Sequence, residues 1–155
     1  MCDNVVAVGP ATAAPCTSIF KPIWVDAGLP DLGQTPTGHY NRACLWWRHE
    51  GLHRGVLRDY PTMMAVYHAE REAMEAHFLA EARARRHHAA ADRAALSARC
   101  FDEADRATLR WDERVDATPA SKKLPRGYQK IWSKLIQEAG YNFGSRSDFA
   151  STPGG

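Results

Sequence analysis

The sequence predicts a mainly α-helical protein: a helical pair broken at Pro61, a further helix towards the carboxy terminus, and one or two short amino-terminal strands. Three observations predict it. Over residues 42–115 the residues of one face recur at spacings of three and four, as in Leu45, His49, Leu52, Val56 and Tyr60, then Met63, Tyr67, Met74 and Phe78, then Leu96, Cys100, Ala104, Trp111 and Val115, which is the period of an amphipathic helix. Asp59-Tyr60-Pro61 interrupts that pattern. A proline lacks the N–H that a helix interior needs and biases the residue before it away from helical geometry, yet it suits the first turn of a new helix. Tyr128, Ile131, Trp132, Leu135 and Ile136 repeat the period after Leu124-Pro125, and Gly140 follows as a terminator.

Taken in order, residues 4–8 (Asn-Val-Val-Ala-Val) read as a short strand closed by Gly9-Pro10. Residues 16–20 (Cys-Thr-Ser-Ile-Phe) offer a second strand, which Ile23, Trp24 and Val25 continue after a kink at Pro22. Residues 26–41 hold Gly28, Pro30, Gly33, Pro36 and Gly38 and read as an irregular loop. One short helix then leads to the break, and one very long helix from Pro61 runs to about Val115. Its middle is rich in alanine, arginine and histidine, with Leu96 the only large aliphatic residue between Glu81 and Cys100, so it is expected to project or to meet a partner. Residues 117–123 form a linker, residues 124–139 the last helix, and residues 141–155 a tail expected to fray.

A chain of 155 residues can bury a core of its own, with residues 1–115 carrying the long helices and 116–155 the linker, short helix and tail. A net charge of +2 is too mild to point to nucleic acid, and the run Arg83 to His88 shares its helix with Glu75, Glu81 and Asp92, as a solvated face does. No apolar run approaches the roughly 20 residues of a membrane span, and residues 1–14 lack the basic start of a signal peptide. Four cysteines without a paired spacing suit the reducing cytoplasm, and Cys16, Cys44 and Cys100 read as small buried apolar residues. Trp46 and Trp47 are adjacent, so one faces the core and the other is free for an interface.

Two constellations carry possible chemistry. His49-Glu50-Gly51-Leu52-His53 matches the pattern in which two histidines on one helix face hold zinc and the glutamate activates the bound water, with Glu70, Glu72 or Glu75 at a suitable distance for a third ligand. Against that reading, His49 shares the apolar stripe, and Gly51 and Gly55 each weaken a helix by about 1 kcal/mol relative to alanine. A core-edge histidine and no metal or cofactor is therefore the expectation. The second constellation is Cys2-Asp3. Loss of Met1 would leave Cys2 with a free α-amine beside its thiol. The amine titrates near ~8, so its neutral fraction can take the thiol proton, and Asp3 can orient it.

Residues 1–13 resemble the mature start of the secernin and dipeptidase family, cysteine-dependent N-terminal-nucleophile hydrolases. Residues 16–81 resemble that family's carboxy-terminal portion, through Cys16-Thr17-Ser18-Ile19-Phe20-Lys21-Pro22, Gly28-Leu29-Pro30, Leu45-Trp46-Trp47-Arg48-His49-Glu50, Leu52-His53-Arg54 and the helix beyond Pro61. The resemblance implies two β-sheets between helical layers and a peptide or amide substrate. Cys2 would be the nucleophile with its own amine as base, and the Trp-Trp-Arg-His-Glu helix a packing element. The family continues from its first strand into an Asn-Ser-Asp-Arg block and most of a sheet core, which supplies the donors that stabilise a developing oxyanion. Here Ala13 runs almost directly into the carboxy-terminal block, and Ser145-Arg146-Ser147-Asp148 follows no strand. The expectation is a shortened relative, inactive alone. The alternative is a helical module that binds a partner, either a second copy in a homo-oligomer or a full-length relative.

Overall fold

The computed structural model describes residues 5–8, as backbone only, 14–121 and 123–141. Cys2, Asp3 and the tail from Asn142 lie outside the described residues. The chain is mainly α, with five α-helices and one small sheet among the described residues: β1 (Val5–Val8), β2 (Lys21–Trp24), α1 (Leu45–Leu57), α2 (Tyr60–Ala65), α3 (His68–Arg85), α4 (Ala90–Ala117) and α5 (Arg126–Glu138). The strands pair antiparallel, Val5 opposite Trp24 and Val8 opposite Lys21. The two-sheet fold that the resemblance implies is not found among the described residues, where the sheet has two strands.

The second strand lies later than expected. Residues 16–20 do not form it, because Pro15–Thr17 closes a 3₁₀ turn. The Thr17 and Ser18 hydroxyls donate to the carbonyls of Ala14 and Pro15, each at 3.1 Å, and these local bonds turn the backbone before it can pair. The strand begins at Lys21, and all four of its residues are buried, with α3 and α4 packed against it.

The break at Pro61 is present: Asp59 stands outside helical geometry, and Pro61 falls in the first turn of α2. The carboxylate of Asp59 also accepts the Ser121 backbone N–H at 2.8 Å, which fastens the segment after α4 to the break. The very long helix is not continuous, however. It breaks at Tyr67, where φ is −136°, because the ring turns inward, donates its hydroxyl to the Thr17 carbonyl at 3.1 Å and stacks on Trp111 with centroids 4.8 Å apart. It breaks again at residues 86–89, and α4 returns antiparallel to α3. Glu70 on α3 pairs with Arg110 (3.1 Å) and Arg114 (2.6 Å) on α4, and Glu81 pairs with Arg99 nearer the turn. Folding back buries Phe78 and Ala82 together with Leu96 and Cys100 in the same core. A straight helix would have left those faces in water, so the alanine-rich middle is the bend of a hairpin and not a projecting rod.

The core is continuous from Trp24 through Leu52, Val56, Met63, Tyr67 and Cys100 to Trp111 and Val115. At its end the Arg58 guanidinium, almost fully buried, donates to the carbonyls of Val115 and Gly55 and so closes the last turns of α1 and α4. Helix α5 is different. It starts after Pro125 and stops before Gly140, whose φ of +66° is the left-handed conformation that ends helices. None of its residues is buried, and Ile131 and Leu135 are exposed. It rests on the rest of the chain through a few side chains and the bond from Tyr40 N–H to the Ala139 carbonyl, 2.7 Å long. Among the described residues no helix is long and apolar enough to cross a membrane.

Candidate functional site

Both faces of α1 carry chemistry-bearing residues, and they do different things. On the inner face lies a buried polar knot. His49 is 3% exposed, and neither ring nitrogen has a hydrogen-bond partner among the described residues. The backbone of Thr17 lies close enough to favour the charged ring slightly without reaching bonding geometry, so burial dominates and holds the His49 pKa down at about 4. His53, one turn later, places Nδ1 3.2 Å from the Thr17 hydroxyl. That hydroxyl spends its proton on Ala14, so the ring Nδ1 is the donor of this bond. Burial lowers the His53 pKa as well.

Lys21 enters the same knot from β2. Its side chain is buried, its Nζ donates to the Ile19 carbonyl at 2.8 Å and lies 5.0 Å above the Phe101 ring, and desolvation brings its pKa down to about 8. The Lys21 charge is felt at His49, where it opposes a second cation. The glutamates offered as third zinc ligands are engaged elsewhere: Glu70 by Arg110 and Arg114, Glu72 by His68 at 3.4 Å, and Glu75 by the Phe20 N–H at 3.0 Å. Among the described residues no three His, Cys, Asp or Glu side chains gather where a metal would bind. The structure thus places His49 and His53 on one helix, with no third ligand gathered beside them among the described residues.

On the outer face, Glu50 and Arg54 form an i,i+4 pair, with Nε 2.6 Å from the Glu50 carboxylate and Nη2 on the same oxygen. The carboxylate that would have served as a general base is therefore held by a guanidinium. Arg54 Nη1 has no oxygen acceptor among the described residues. The face of Trp132 on α5 takes that role, its ring centre 3.3 Å from the guanidinium carbon. Between α1, α5 and the loop before α1 lies a cavity of about 280 Å³ lined by Trp46, Trp47, Trp132, Leu135, Ile136 and Tyr141 as well as the Glu50–Arg54 pair. Trp46 and Trp47 meet edge to face at 4.7 Å, and Tyr141 lies nearly parallel to Trp47 at 6.4 Å. Trp47 is buried and Trp46 half-buried, as their adjacency implies.

Gly51 explains itself here. A Cβ at this position would stand 2.7 Å from the Tyr141 hydroxyl, so glycine gives the tyrosine its seat on α1. Gly51→Ala is expected to leave the core's stability within about 1 kcal/mol of the parent, since alanine favours the helix while the tyrosine is displaced. The consequence to measure is local: trypsin should cut α5 at Arg126, Lys130 and Lys134 faster in the variant. Unchanged cleavage would mean that Tyr141 does not hold α5 down.

Of the cysteines, Cys44 and Cys100 are buried as expected, and burial pushes the Cys100 thiol up to about 12. Cys16 is exposed. The 3₁₀ turn that displaces the second strand also turns this residue outward, while its carbonyl accepts from Arg71 at 2.6 Å. Sequence reasoning missed the burial of Lys21 and the seating of Trp132 on Arg54. The signal for the latter was the pair Trp46-Trp47, which sequence marked as leaving one indole free. Compared with protein-family models, with curated proteins and with solved structures, the chain matches none.

Proposed function

We propose that this chain is a shortened relative of the secernin and dipeptidase hydrolases that keeps their helical scaffold as a partner-binding module and does not hydrolyse amides by itself. The observation that carries the reading is how the blocks behind the resemblance are used. Trp47, His49, Leu52 and Val56 of the Leu45–Leu57 helix and Ile19 to Ile23 of the preceding block are spent on packing, with only Phe20 of that second group exposed. Around β2, helices occupy the positions against which further sheet would stack, and no third strand is found among the described residues. A cysteine nucleophile needs preorganised donors for its oxyanion, and among the described residues neither face of α1 offers them: one is a buried polar knot whose Thr17 hydroxyl and Lys21 ammonium are spent on backbone carbonyls, and the other a closed ion pair. The cytoplasm is the compartment proposed, on the strength of the free thiols Cys16, Cys44 and Cys100.

The test uses the intact chain. Mass spectrometry first establishes whether Met1 is removed, and an amide-mimicking thiol probe is then applied. Labelling of Cys2 no faster than that of the exposed Cys16 is the expected result. Selective labelling of Cys2, abolished in Cys2→Ala, would replace this reading with that of a working cysteine amidohydrolase.

A further inference from the structure

We propose that the cavity between α1 and α5 is a binding site for a small, neutral, flat aromatic molecule of one or two fused rings. Volume sets the size: about 280 Å³ lies just under the range of drug-sized pockets, so one or two rings fill it. The walls set the shape. Three indoles and a phenol present both faces and edges, and a flat ring can meet each of them in a favourable stacked or edge-on arrangement.

Charge sets the rest. Among the described residues the two ionic groups at the cavity, Glu50 and Arg54, neutralise each other through two contacts to one carboxylate oxygen, and the guanidinium is capped by Trp132. A carboxylate or ammonium on the ligand would enter an apolar space with no opposite charge left to meet it, which is costly. A neutral ring loses only weakly held water. The site is also built to admit a guest without unfolding the core, because its outer wall is α5, which buries none of its own residues.

The experiment titrates the full chain with 2-naphthol, with 2-naphthoate as the anionic analogue and 2-naphthylmethylammonium as the cationic one. It follows the five tryptophan indole N–H signals by NMR. Saturable shifts of Trp46, Trp47 and Trp132 are expected with 2-naphthol, with a Kd on the order of 0.1–1 mM. Trp24 and Trp111, which are in the core, should stay still. Both ions should bind at least about tenfold more weakly. Trp132→Ala should lose the binding, and Ala139→Phe, which fills the cavity, should do the same while keeping every indole. No saturable shift with 2-naphthol, equal binding of the ions, or undiminished binding in Ala139→Phe would each overturn the proposal.

Discussion

Lowering the pH from 7 to 4 is expected to reduce the unfolding free energy by about 3 kcal/mol through His49 alone, since its pKa falls from 6.5 to about 4 on folding and each unit is worth ~1.4 kcal/mol. The sign follows from where the proton goes. The folded-state pKa is depressed, so between pH 6.5 and 4 the unfolded chain takes up a proton that the folded one refuses. Stability is complete above pH 6.5 and drains away as pH falls through the folded value. The half-buried Glu81 carboxyl is held below its ordinary range, because Arg85 and Arg99 favour the carboxylate form. The window from pH 7 to 5 therefore belongs mostly to the histidines. His49→Leu should be at least as stable as the parent at pH 7, because it removes a buried ring whose nitrogens find no partner among the described residues, and its loss of stability over that window should shrink to the smaller part that His53 contributes. Urea unfolding at pH 7, 6 and 5 measures both. A variant that is less stable by 2 kcal/mol or more at pH 7 would mean that His49 makes a contact essential to the fold.

Trp111→Ala should have the largest effect of any single truncation, about 3–5 kcal/mol, since Trp111 is fully buried and stacks on Tyr67 at the centre of the core. Against a total of about 5–15 kcal/mol for a domain of this kind, much of the population would unfold at 37 °C. Trp132→Ala is the contrast. Its helix buries no residue, so losing the indole costs the Arg54 contact and little else, and the urea midpoint should move by less than the equivalent of about 1 kcal/mol. Similar losses in the two variants would mean that α5 belongs to the core.

What the sequence revealed, and what it did not, divides along a physical line. Features set by one or two residues were legible: Pro61 breaking a helix, Pro125 and Gly140 bounding α5, the three-and-four spacing of Leu45, Leu52 and Val56. The breaks at Tyr67 and at residues 86–89 contain neither glycine nor proline. They exist because Tyr67 gains more by stacking on Trp111, and Phe78 by joining the core that holds Leu96 and Cys100, than a straight helix gains by continuing. These are tertiary effects with no local mark. The false strand at residues 16–20 has the opposite cause: two hydroxyls, Thr17 and Ser18, made local bonds that outweighed a β-like composition. The cavity joins Trp46 and Arg54 to Trp132 across more than half of the chain, and only the adjacency of Trp46 and Trp47 hinted at it.

The most direct test is hydrolysis itself: release of free amino acid from a panel of dipeptides by the purified chain, beside Cys2→Ala made in the same way. Equal and near-background rates for both are the expected result. Turnover that is present in the parent and lost in Cys2→Ala would contradict the loss of catalysis and restore Cys2 as an acting nucleophile.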